Sequence, residues 1–279
     1  MAEILKKEYP NLEDSEYKKA LSFLKGKCSE YYFIDYMRCS NGNVDDAINF
    51  YLFDDGLRFL LIKYIIRFEI QAKADFVNII EEITNCSSFW KRKEYYLPDT
   101  LHVRAGGRHS KFYLLKEKIE SNLNRKHFSS LGSINHTALY VSSFGTFQEL
   151  FKYIDQKYKF EFIENYTHNL NLNDYHTLNA FLEGIRIVRN RCAHGNHIIS
   201  RKMSSELKKL KTTIRCQIFK DIKSPITPLE GIILYLLEEL ESSKEFKSDI
   251  KCLIEKNSYL IEKYNKKLSL SKFFPMLLL

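Results

Sequence analysis

The chain reads as an all-α protein, and three observations predict it. Apolar residues recur three and four apart, as on one face of a helix, most clearly at Phe50, Phe53, Leu57, Leu60, Leu61, Tyr64, Ile65 and Phe68. Only ten Gly and five Pro punctuate 279 residues rich in Leu, Ile, Lys and Glu, so helix breakers are scarce. No alternating run of useful strand length occurs, and no segment repeats. A hydrophobic share of 44% argues for a folded core over a disordered chain.

We read the chain as one helical unit, 1–279, in three segments. Residues 1–85 show helical patterning around Tyr17 to Met37, then a turn at Ser40-Asn41-Gly42-Asn43. Asp45 or Asp46 is expected to open a long helix that continues toward Ile83. Within it Asp54, Arg58 and Glu69 have the spacing of an ion-pair set.

Residues 86–137 are less regular, with Pro98, Gly106-Gly107 and Gly132 as punctuation, and read as a basic connector. Lys91, Arg92, Lys93, Arg104 and Arg108 interleave with Trp90, Tyr95, Tyr96, Phe112 and Tyr113. Cations alternating with stacking rings suit single-stranded RNA, although the same rings could pack locally beneath a solvated basic face.

Residues 138–279 return to helical spacing, with helices expected from Phe147 to Tyr158 and from Phe160 to Tyr166. Residues 201–220 read as a basic helix carrying Lys208, Lys209, Lys211 and Arg215. Thr227-Pro228 opens another through Leu240, and a last helix spans about Phe246 to Tyr264. The apolar tail FFPMLLL is too short to span a bilayer and is expected to dock on the protein or a partner.

Between them lies the stretch that carries chemistry, Asn173 to Asn196. Leu178, Phe181, Leu182, Ile185, Val188 and Cys192 form one apolar stripe, with Asn173 or Asp174 as N-cap and Gly195-Asn196 as the left-handed stop. Arg189, Asn190 and His194 stand at the end of that helix and are not explained by the stripe. At about 100° per residue, Asn190 and His194 share a face roughly opposite it, while Arg189 falls near its edge.

The string LEGIRIVRNRCAH, with its Arg-Asn-x-x-x-His spacing, resembles the signature of the HEPN ribonucleases in their abortive-infection, or Abi-like, branch. Three more elements extend the resemblance in the expected order: Tyr51-Leu-Phe53-Asp54 with Leu57-Arg58, then Phe68-Glu69-Ile70, then Ser143-Phe144-Gly145-Thr146. Lys73 stands where that family more often has Arg. The family's AHHxR continuation is replaced here by Gly195-Asn196-His197, with His197 as a stand-in. The resemblance implies a HEPN-type helical bundle with additional N-terminal helices. It also implies a metal-independent endoribonuclease that leaves a 2′,3′-cyclic phosphate and a 5′-hydroxyl, in an antiviral defence or toxin role.

The residue types suit that reaction. RNA supplies its own nucleophile, the 2′-hydroxyl, so no metal or other cofactor is called for. His194 would move protons near neutral pH, and Arg189 would match phosphate oxygens with a permanent charge. Asn190 would orient the ring or bond the phosphate. Arg186, Arg191, His197, Lys91, Arg92, Lys93, Arg104 and Arg108 are the expected RNA contacts. Lys and Arg exceed Asp and Glu by 43 to 35, a balance that fits a polyanionic partner.

A single Arg–His pair is sparse, so a homodimer with a composite cleft is expected, along with a regulatory RNA or antitoxin partner to restrain a toxic activity. Other readings stay open. His194 could merely end a helix, and Cys192 with His194 could form a thiol site. Cys192, His194 and His197 could make half of a metal site, or the chain could bind RNA or small nucleotides without cutting. Six scattered Cys without any C-x-x-C indicate neither a disulfide framework nor a zinc ribbon. With no signal region in MAEILKKEYP and no run of transmembrane length, the chain reads as cytoplasmic, without a membrane partner.

Overall fold

A computed structural model describes residues 3–103, 106–126, 134–166, 174–199, 207, 227–240, 242–264, 267, 268, 270 and 274. Among these the protein is an all-α bundle, with no strand. The expected basic helix at 201–220 and most of the apolar tail lie outside the described residues.

Everything described is arranged around α4, Val44–Thr84, a helix of 41 residues. At about 1.5 Å per residue it is a rod of roughly 60 Å. Asn41 and Gly42 turn the chain through left-handed backbone just before it (φ 57° and 87°), and Asn85 leaves it the same way (φ 48°). Its N-cap is Asn43, whose side chain accepts from the Asp46 amide at 2.8 Å, and not Asp45 or Asp46 as the sequence suggests. Asp46 is instead turned inward to Tyr264 and Lys263.

The expected patterning from Tyr17 to Met37 resolves into α2, Asp14–Leu24, and α3, Glu30–Cys39, because Gly26 takes φ 77° between them. The middle of the chain is more ordered than expected. After a four-residue helix, α5 (Pro98–Leu101), Ser110 caps a fifteen-residue helix, α6 (Lys111–Arg125), which buries Phe112, Leu115, Ile119 and Leu123.

Trp90, Tyr96 and Phe112 are core residues, so they cannot serve as the expected RNA-stacking platform. Burying such rings contributes on the order of 2–3 kcal/mol each, which favours the core over the surface. Tyr113 stays exposed, with His109 stacked on it at 4.5 Å between centroids.

Next come α7 (Asn135–Val141), α8 (Phe144–Tyr153) and α9 (Gln156–Asn165). The last two start earlier than the apolar spacing predicts, because Ser143 and Asp155 cap them. The signature helix is α10, Tyr175–Ala193. Thr227 and Glu230 form a reciprocal capping box at the start of α11, Pro228–Glu239. The single last helix expected from Phe246 to Tyr264 is two, α12 (Ser243–Lys256) and α13 (Ser258–Tyr264), divided at Asn257.

Helix α4 packs against α3 of the first segment and against α7, α9, α10 and α12 that follow it, while α6 packs on α7 and α8. None of the described helices is long and apolar enough to cross a membrane.

Candidate active site

Helix α10 is built as its sequence suggests. Asp174 caps it, accepting from the amides of His176 (2.6 Å) and Thr177 (3.0 Å). Leu178, Phe181, Leu182, Ile185 and Val188 are buried, and Phe181 stacks on Tyr235 of α11 at 4.2 Å between centroids. At the other end Gly195 adopts φ 67°. The Asn196 amide returns to the Arg191 carbonyl (2.8 Å) and the Gly195 amide to that of Cys192 (3.2 Å). This is a Schellman stop with His194 as the C-cap residue.

The three candidate catalytic residues occupy the last turn and a half. His194 is exposed, Asn190 and Arg189 half-buried. Among the described residues none of the three side chains makes a hydrogen bond or ion pair, and Arg189 Nε is buried without an acceptor. Arg189 and His194 are not in contact within one chain. Five residues of helix turn them about 140° apart, and of the two only Arg189 lines one of the cavities described next.

Two cavities lie one after the other along a single face of α4. The first, about 720 Å³, is bordered by Tyr32, Phe59 and Ile62 and by Cys192, Ala193 and Gly195 around His194. The second, about 990 Å³, is bordered by Ile66, Ile70 and Lys73 of α4, by α6 and α7, and by Arg189.

What fixes the end of α10 is a buried polar cluster. Asp54, fully buried on α4, accepts the amides of Ile198 (3.0 Å) and Ile199 (2.9 Å) on one carboxylate oxygen. Its other oxygen takes the Tyr36 hydroxyl (2.7 Å) and the Arg58 guanidinium. Arg58 also reaches Asp55 at 2.8 Å. The ion-pair reading of Asp54, Arg58 and Glu69 is therefore realised, with Lys73 on Glu69 at 2.7 Å. The further bonds from Asp54 to residues 198 and 199 have no counterpart in the residue pattern, because backbone amides leave no residue-type signature.

His197 belongs to this cluster and not to an RNA-facing surface. Its ring stacks on Tyr32 (3.9 Å between centroids) and meets Tyr36 (4.2 Å), leaving the side chain 11% exposed. Its Nε2 is buried without a hydrogen-bond partner. Burial holds its pKa below the ordinary 6.5, with Arg58 and Arg191 adding to the effect and Asp54 and Asp35 opposing it. His197, expected as a stand-in for the family's second histidine, thus has its ring turned into the fold. With His197 turned under Tyr32 and His194 outward, the Cys192–His194–His197 half-site is not assembled. Burial also pushes the Cys192 thiol up to about 12, which leaves it a poor nucleophile.

The other expected RNA contacts are dispersed. Arg186 pairs with Glu183 at 2.9 Å, and Arg191 donates to the His197 carbonyl at 2.6 Å. Lys91 lies over the Trp90 ring, 4.9 Å from its centroid. Arg92, Lys93 and Arg108 are exposed, and Arg104 lies outside the described residues.

Residues 15–200, more than half of the chain, match the family described as Abi-like protein. No curated protein and no solved structure matches the chain.

Proposed function

This chain belongs to the Abi-like protein family, and on that premise we propose that it is a metal-independent endoribonuclease of the HEPN type, acting in abortive infection. The observation that carries the reading is the state of Arg189, Asn190 and His194. Among the described residues, three polar side chains without a hydrogen bond or ion pair stand together at the end of a helix whose cap, apolar stripe and Schellman stop serve the fold. In this reading the RNA 2′-hydroxyl attacks the adjacent phosphorus and the 5′-oxygen leaves. His194 moves a proton in that exchange, Arg189 stabilises charge on the phosphate, and Asn190 orients the ring or the phosphate.

The functional unit is a homodimer with a composite basic cleft. Arg189 and His194 do not meet within one chain, so a second copy is the natural source of the missing neighbour. The face of α4 that borders both cavities also shows Leu52, Phe59 and Ile66 to solvent at seven-residue spacing, with Phe59 72% exposed. A large apolar stripe of that kind is what a second copy would cover. A regulatory RNA or an antitoxin protein would restrain the cleavage until infection.

The test is incubation of the purified protein with total cellular RNA in EDTA, followed by mapping of 5′ ends. Wild type is expected to yield 5′-hydroxyl ends, with activity per chain falling on dilution as the dimer dissociates. His194→Ala is expected to abolish the cuts while leaving RNA binding intact. Wild-type protein that binds RNA and never cuts it under activating conditions would make this a binding or scaffolding member of the family.

A further inference from the structure

We infer that the second cavity, between α4, α6, α7 and α10, binds a nucleoside phosphate. It shares Arg189 with the proposed cleavage site but rests on recognition alone, so its test needs no cutting.

The volume, about 990 Å³, is at the upper end of what small-molecule pockets occupy. Its wall divides by chemistry. Ile66, Ile70 and Tyr140 are exposed apolar or aromatic groups at its lip, and the Lys126 ammonium lies over the Tyr140 ring at 5.9 Å. The same lining carries three cations, Lys73, Lys126 and Arg189, and one carboxylate, Glu69.

Glu69 is taken by Lys73, which also donates to the Ser142 carbonyl at 2.6 Å. Among the described residues Lys126 and Arg189 are therefore left without a carboxylate. They are near enough to Lys73 that their charge, added to its burial, helps lower its pKa. Arg189 also holds a buried Nε–H that no protein atom accepts. His136 lines the same space and is exposed.

A desolvated guanidinium donor and an unpaired ammonium call for an anion with several oxygens. The ring and apolar lip beside them call for a planar, weakly polar group. A phosphate carrying a nucleoside supplies both, and a bare phosphate would leave the lip unused. The nucleotide could come free in solution or as one unit of an RNA strand, and the chemistry is the same.

The experiment measures equilibrium binding to the full chain. Three probes are used: adenosine 5′-monophosphate, adenosine, and a ten-nucleotide RNA with 2′-O-methyl groups, which no 2′-hydroxyl mechanism can cleave. Lys126→Glu and Tyr140→Ala alter exposed positions outside the proposed catalytic set, and thermal melting checks that they fold. Each is expected to weaken binding about tenfold or more. Saturable binding of the monophosphate, sensitive to both variants, assigns the cavity to a free nucleotide. Binding of the oligonucleotide alone, with the same sensitivity, assigns it to a unit within a strand. Binding of adenosine as tight as its monophosphate, or variants that change neither probe, would overturn the inference.

Discussion

Two polar clusters sit within a few residues of each other at the end of α10, and they are opposites. In one, Asp54, Arg58 and Tyr36 are buried with the His197 ring packed on Tyr36, and the carboxylate carries four donors. In the other, Arg189, Asn190 and His194 have no side-chain partner among the described residues. Folding alone accounts for the pairing around Asp54 in the first, since a buried carboxylate must be satisfied. It does not account for the second, and unspent hydrogen-bonding capacity on a rigid helix is what a ligand needs. The contrast separates the polar residues that hold the turn from those that it presents.

Asp54→Ala should break the comparison hardest. It takes from Arg58 its buried carboxylate, leaving only Asp55, and frees two amides, so urea denaturation should show a loss of about 3–5 kcal/mol. RNA cleavage would then fall together with stability, and a neutral effect would mean that the cluster does not hold the end of α10.

A pH series tests the same cluster more gently. The native state favours neutral His197, while the unfolded chain takes up a proton near the ordinary value of 6.5. Below that value the unfolded state binds more protons, so this contribution to stability is intact above pH 6.5 and is lost as the pH falls toward the lowered native value. His197→Phe keeps a ring on Tyr32 and should flatten the decline that sets in below about pH 6.5, read from urea midpoints. An unchanged slope would place the titration elsewhere.

Gly195→Ala adds a methyl group to open space, since nothing lies within 4 Å of the new carbon. Only the left-handed backbone resists, at about 1–2 kcal/mol. A larger loss would mean that the turn is held more tightly than its surroundings indicate. His194→Ala should have the smallest effect on stability, within about 0.5 kcal/mol, while cleavage falls about 10²–10⁴-fold. A destabilising His194→Ala would place that ring with the structural cluster and erase the distinction.

Much of this was legible in the order of residues. Three-and-four spacing found the long helix from Phe50 onward, and Asp174 and Gly195 bracketed α10 as capping chemistry requires. The middle segment misled because the Pro and Gly around α6 hide a short apolar face, Phe112, Leu115, Ile119 and Leu123, set among charged neighbours. Trp90 and Tyr96 have the composition of an RNA platform whether they face water or the core, and only packing decides between the two. The cavities left no trace, because their walls come from helices far apart in the chain and no local pattern records a shared void.

The bonds from Asp54 to Ile198 and Ile199 join positions separated by 144 and 145 residues. During synthesis the carboxylate leaves the ribosome long before the amides it will hold exist. The turn bearing His194 therefore cannot be locked until Ile199 has been made, and closing so wide a loop is slow. Whatever chemistry that turn performs has to wait for this closure, a delay set by distance along the chain.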